Sequence, residues 1–260
     1  GARVVATCSH DTGAAVAGVP AEGANWAYLS SGTWSLLGVE VPEPIINPAA
    51  RELNFTNEIG CGNTVRLLKN LSGLWLVQEC RREWSKQGRN REYSALTEEA
   101  ARSPRFRSLI NPASEEFLAP ESMPAQIAEF CRRTGQSAPE SDGAFVRCAL
   151  ESLALLYRRT LRQIEQLTGR QIERLHVVGG GSNNDLLNQL TADAIQLPVH
   201  AGPAEATAAG NILIQAIGLG HVSSMAEARS IVRNSNAIRE FTPGEGATWE
   251  EAAERVEGYA

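Results

Sequence analysis

The apolar positions of this chain come first in short runs and later in helical repeats, a pattern that predicts strands followed by alternating helices and strands. Val4 to Cys8, Ala27 to Ser30 and Trp34 to Val39 are apolar stretches bounded by Pro20-Ala21-Glu22-Gly23 and Ser31-Gly32-Thr33, and they predict a three-strand meander. A segment holding three prolines from Pro42 to Pro48 precedes a further candidate strand, Leu53 to Ile59. The run from about Gly73 to Lys86 predicts a helix, and a shorter one is expected around Glu98 to Arg102, within proline-punctuated loops.

Helical spacing dominates thereafter. Pro124 to Thr134 has proline in its first turn and Gly135 at its end, the usual terminal asymmetry of a helix. Between Asp142 and Thr168, Phe145, Ala149, Leu153, Leu156, Leu161, Ile164 and Leu167 recur on one face, and Gly169 stops the repeat. Leu175 to Val178 and Val199 to Ala201 are expected strands, and Asn184 to Ile195 and Ala204 to Leu219 expected helices. Ser224-x-x-Glu227 and Thr248-x-x-Glu251 have the form of capping boxes. Alternation of this kind favours parallel crossovers, so the periodicity predicts the α/β class.

Composition narrows the functional classes. With 260 residues and 43% hydrophobic content, the chain has material for one sizeable core, expected as one domain. A net charge of -6 and the lack of a basic stripe argue against nucleic acid or an acidic membrane surface as partner. The longest apolar runs fall short of the roughly 18 residues of a membrane span, and the amino terminus has no signal pattern; a soluble, cytoplasmic protein is expected. The basic stretch Arg81 to Arg91 has flanking acids and no aromatic ladder, and is read as a solvated helix end. Cysteines 8, 61, 80, 131 and 148 form no CxxC pair and no zinc spacing, which leaves them as small apolar residues. Cys131 and Cys148 sit on expected helices, and their pairing is open at this stage.

Four segments carry candidate chemistry. Cys8-Ser9-His10-Asp11-Thr12-Gly13 places an acid among small residues where the first strand is expected to end, so a substrate hydroxyl can approach the carboxylate. An Asp in that setting is also a common turn or cap residue. Ser31-Gly32-Thr33 joins two expected strands, where glycine permits close approach of an anion. Leu68-Lys69-Asn70-Leu71-Ser72-Gly73-Leu74-Trp75 brackets the start of an expected helix that continues to Gln78. Val178-Gly179-Gly180-Gly181-Ser182-Asn183-Asn184 follows a strand and precedes a helix that Ser182 or Asn184 can cap. It fits neither the dinucleotide nor the P-loop pattern.

In this order and at these intervals, the four segments resemble the carboxyl-terminal domain of the FGGY family of carbohydrate kinases, over nearly all of the chain from Val4 to about Phe241. The Ser-Gly-Thr and triple-glycine pieces are shared widely in that family; the Ser-His-Asp-Thr and Leu-Lys-Asn-x-x-Gly-Leu-Trp pieces are narrower, those of one ketose-kinase branch. The resemblance implies a ribonuclease-H-like domain, with a mixed central sheet flanked by helices, and ATP-dependent phosphorylation of a ketose with Mg2+. It implies Asp11 as catalytic base, His10, Thr12 and Asn70 as sugar contacts, and Thr33, Gln78 and Gly180 as ATP contacts. No metal ligand is assigned to this chain, because the family places the metal and phosphate loop in an amino-terminal half. The chain opens at Gly1-Ala2 with no methionine, and that missing half is its expected partner; without it the domain is expected to be inactive. Other ketose kinases of the family are alternatives on sequence grounds. A non-catalytic nucleotide-binding module of the actin or chaperone kind is the rival from another class, and the Ser-His-Asp-Thr segment argues against it.

Overall fold

The computed structural model describes residues 3–8, 10–244 and 246–259. Among the described residues, seven strands form one sheet: β1 (Trp26–Ser31), β2 (Trp34–Val41), β3 (Thr56–Ile59), β4 (Val65–Ser72), β5 (Arg174–Val178), β6 (Val199–Ala201) and β7 (Arg239–Phe241). Their spatial order is β3-β4-β2-β1-β5-β6-β7. β1 pairs in parallel with β5, and β5 with β6, while every other pairing is antiparallel. The expected mixed sheet flanked by helices is therefore present, with the meander made by β1, β2 and β4.

Among the described residues, ten α-helices surround the sheet. In chain order they are α1 (Asp11–Ala17), α2 (Pro48–Glu52), α3 (Trp75–Lys86), α4 (Tyr93–Arg102) and α5 (Met123–Arg133), then α6 (Asp142–Thr168), α7 (Asp185–Ile195), α8 (Ala206–Gly218), α9 (Met225–Ser235) and α10 (Ala247–Glu257). No helix among the described residues is long and apolar enough to cross a membrane.

Strand alternation sorts side chains into two cores. On β1, Ala27 and Leu29 enter the large cluster with Leu76 of α3, Leu153 of α6, Leu190 of α7 and Trp249 of α10. Their neighbours Trp26 and Tyr28 face the smaller cluster with Ala15 and Val16 of α1 and Ala206 of α8. Small residues let α1 and α8 cross closely: a Cβ on Gly210 would overlap the Ala14 carbonyl oxygen, and one on Gly18 that of Ala206. The small-residue run at the start of α8 is thus architectural and sets the position of α1.

Local signals place α6 where the periodicity does. Ser141 Oγ accepts from the Ala144 amide at 3.2 Å, and Gly169 closes the helix at φ 65°. Four expectations fail. Val4 to Cys8 is not a strand, and Val4 is 96% exposed; no neighbouring strand offers it a ladder. Asp11 therefore does not lie at a strand's mouth but opens α1, a helix whose small and almost uniformly buried residues have no amphipathic signature. Asn70 lies on β4 rather than at a helix start, and β4 itself was hidden by its Lys69-Asn70 interruption. Finally, α10 begins after Gly246 with no side-chain cap, so Thr248 forms no capping box. The Ser224 box is half made: Ser224 Oγ accepts from the Glu227 amide, while the Glu227 carboxylate accepts from the amide of Ser223.

Candidate functional site

Three connections meet at one edge of the sheet because the strands entering them are in register there. Ser30 of β1 lies opposite Val178 of β5, and Trp34 of β2 opposite Ser72 of β4. The Gly32-Thr33 turn, the Gly179-Gly180-Gly181 loop and the Gly73-Leu74 lead into α3 are thus neighbours. In α/β sheets the carboxyl ends of parallel strands are the usual place for a ligand crevice.

Backbone bonds tie these loops together. The Leu74 amide donates to the Gly32 carbonyl at 2.9 Å, and the Trp75 amide to that of Thr33 at 3.0 Å. A Cβ on Gly73 would lie 2.7 Å from the Thr33 carbonyl oxygen, so only glycine fits at this approach. Gly179 has φ 83° and ψ -176°, a region open to glycine alone. At Gly181 a Cβ would overlap Ser31 Oγ and lie 2.6 Å from Ser31 Cβ, whereas at Gly180 it would meet nothing within 4 Å. Asn184 then starts α7, its Oδ1 accepting from the Leu187 amide at 3.0 Å.

The result is a cleft of about 600 Å³, lined by Gly32, Val77, Gln78, Gly180, Gly181 and Asn184, with α4 residues including Thr97 opposite. That volume lies within the usual range for a small-molecule pocket. The cleft brings together Gln78, Gly180 and Gly32. Thr33, next in chain to Gly32, is exposed and is not among the lining residues.

His10, Asp11, Thr12 and Asn70 belong to the other side of the sheet. Asn70 is exposed and lies two residues beyond Leu68, on the β4 face whose cluster includes α1 residues. Asp11 is exposed over 79% of its side chain and His10 over 58%. The Thr12 amide donates to Asp11 Oδ1 at 2.7 Å, and the buried Thr12 hydroxyl lies 3.3 Å from the same oxygen. Nδ1 of His10 accepts from the Thr12 amide at 3.3 Å, capping α1, and lies 3.1 Å from the same carboxylate oxygen. The carboxylate is thereby oriented through Oδ1. None of these four residues lines the cleft of Gly180.

Among the described residues, no group of three or more His, Cys, Asp or Glu gathers to hold a metal ion. His176 and His200 are strand-packing residues: their rings lie 5.2 Å apart, tilted by 35°, and burial presses the His176 imidazole down to about 3. Buried Arg66, whose Nη2 donates to Glu58 at 2.7 Å, lies beneath α1. Sequence reasoning missed it, since an Arg within an undetected strand gives no sign of burial.

Residues 27–219 match the model of the C-terminal domain of the FGGY family of carbohydrate kinases. The chain is 50% identical over 249 residues to a rhamnulokinase of Bacteroides thetaiotaomicron, covering 96% of this chain and 50% of that protein. It is 45% identical over 243 residues to a rhamnulokinase of Bacillus subtilis, covering 93% and 49% respectively. The chain therefore spans about half the length of the curated relatives it matches. A crystal structure of xylulose kinase from Rhodospirillum rubrum superimposes with a TM-score of 0.71 at 15% identity, over 95% of this chain and 49% of that one. The sheet order, the loops gathered at its edge and the matched residues agree: the chain belongs to the FGGY family of carbohydrate kinases and contains its C-terminal domain.

Proposed function

We propose that this chain is the carboxyl-terminal half of a rhamnulokinase, an enzyme that phosphorylates L-rhamnulose to L-rhamnulose 1-phosphate with ATP and Mg2+. The choice of sugar rests on 50% and 45% identity to rhamnulokinases over more than nine-tenths of the chain. The observation that carries the site is the cleft of about 600 Å³ in which Gly180 meets Gln78 and Gly32, with open space at the Gly180 Cα.

In this reading the cleft of Gly180 and Gln78 receives the nucleotide. Gln78 both donates and accepts, which suits a purine or ribose edge, and Gly180 allows the ligand to approach the backbone. On the other side, Asp11 accepts the proton of the attacking sugar hydroxyl, while His10, Thr12 and Asn70 hold the sugar. Thr12 orients the carboxylate through Oδ1, which leaves Oδ2 for the substrate. Thr33, beside Gly32 at the cleft, hydrogen-bonds the phosphate between the two sides. Mg2+ neutralises the transferring phosphate in reactions of this kind. In this reading the Mg2+ ligands belong to an amino-terminal half, and the 260 residues are inactive without it.

The test is Asp11→Asn in the intact protein. Loss of a general base should lower L-rhamnulose turnover by about 10²- to 10⁴-fold while ADP affinity stays unchanged. Wild-type turnover by the variant, or faster turnover of L-fuculose or xylulose by the parent enzyme, refutes the assignment.

A further inference from the structure

Cys8 and Cys61 are 53 residues apart in the chain, yet their sulfurs are 2.8 Å apart. The contact is built from both sides. Cys8 lies against Gly13 of α1, where an added Cβ would sit 3.0 Å from Cys8 Cβ and 3.3 Å from its Sγ. Cys61 sits in the β3–β4 turn, which is closed by the Gly60 amide donating to the Thr64 carbonyl at 2.8 Å. Cys8 is thus wedged between the helix that begins with Asp11 and the turn at the sheet's edge.

These two are the accessible thiols of the chain. Both are half-buried and line an open cavity of about 340 Å³ with Thr7, Ile214 and Met225, whereas Cys80, Cys131 and Cys148 are buried. No third metal-ligating side chain joins them among the described residues, so the pair lacks the ligand number of a zinc centre. Two thiols in contact beside an open cavity are suited instead to exchange with a soluble disulfide.

We propose that Cys8 and Cys61 form a reversible redox site, oxidised by a low-molecular-weight disulfide of the glutathione class, whose bond tethers the segment bearing His10 and Asp11 to the β3–β4 turn. The Cys8 thiolate attacks one sulfur of the oxidant and expels one thiolate, leaving a mixed disulfide. The Cys61 thiolate then displaces the second. Two protein thiols become one disulfide, the oxidant becomes two thiols, and these take up the two protons. Cys61 resolves rather than initiates: burial, with Cys8 beside it, pushes its thiol up to about 12, so it reacts once the mixed disulfide is held against it. Disulfides in reducing compartments are of this transient, sensing kind. The link to catalysis rests on the Asp11 reading, but the bond itself does not.

The experiment treats the intact protein with oxidised glutathione, blocks free thiols with iodoacetamide and maps peptides by mass spectrometry. A peptide pair joining Cys8 to Cys61 is expected, lost on dithiothreitol treatment, and Cys61→Ser should instead keep a glutathione adduct on Cys8. Amide exchange over residues 5–12 should slow about tenfold on oxidation, as local opening is suppressed. Alkylation of both cysteines after oxidation, pairing of either with another cysteine, or unchanged exchange overturns the proposal. Because these readouts are chemical, a protein that proved to phosphorylate no sugar would leave the redox site standing.

Discussion

Gly180 and Gly181 are adjacent, yet the structure assigns them opposite sensitivities. A methyl group at Gly181 would overlap the Ser31 side chain, and although Ser31 Oγ can rotate, its Cβ at 2.6 Å is fixed on β1. Ser31 is 2% exposed, so the loop has to move instead. Overpacking of this kind costs about 1–3 kcal/mol. At about 2–4 °C per kcal/mol for a chain of this size, Gly181→Ala should lower Tm by about 2–12 °C. At Gly180 an added Cβ meets no heavy atom within 4 Å and φ is not in the left-handed region, so Gly180→Leu should change stability by no more than the roughly 0.5 kcal/mol typical of surface changes. Its side chain enters the cleft, and ADP affinity should fall at least about tenfold, or 1.4 kcal/mol. Calorimetric melting and ADP titration of the intact protein measure both quantities. If Gly180→Leu binds ADP like the parent, the cleft is not the nucleotide site; if Gly181→Ala melts like the parent, the packing argument is wrong.

Two further predictions concern the core. His176 is buried with both ring nitrogens unpartnered, and burial first, then the nearby charges of His200 and Arg174, press its imidazole from 6.5 to about 3. The unfolded chain thus binds a proton that the folded chain refuses between those values, so stability falls with pH from 6.5 to about 3, by up to about 1.4 kcal/mol per unit. His176→Phe should flatten that part of an acid-unfolding curve, and an unchanged slope would disprove the claim. The Tyr157 hydroxyl meets Ser35 Oγ at 2.7 Å inside the large core. Tyr157→Phe should cost about 1–3 kcal/mol in urea unfolding by leaving Ser35 unpaired, and adding Ser35→Ala should recover part of it; equal loss in the double variant would argue against this pairing.

The most legible parts of the fold were those whose signals are local. α6 runs over the expected Asp142–Thr168 because Ser141 and Gly169 mark its ends within one turn of chain, and Asn184 likewise announces α7. α1 was illegible because a helix buried on nearly every side shows no contrast between its faces. β7 went unnoticed because three residues with two exposed side chains, Arg239 and Glu240, gain their structure only by pairing with β6. The candidate residues were legible as four motifs. Their division was not, since Thr33 and Gln78 look alike in sequence but only Gln78 lines the cleft.

What the chain determined by itself was the α/β class, the later helices and the residue types at each loop, because capping, turn chemistry and periodicity act over a few residues. What only the tertiary structure decided was the placing of Gln78 and Gly180 on one face of the sheet and Asp11 on the other, and the meeting of Cys8 with Cys61. Those depend on strand register and on the close crossing of α1 with α8. Both are set by contacts between segments far apart in the chain, to which no local pattern is sensitive.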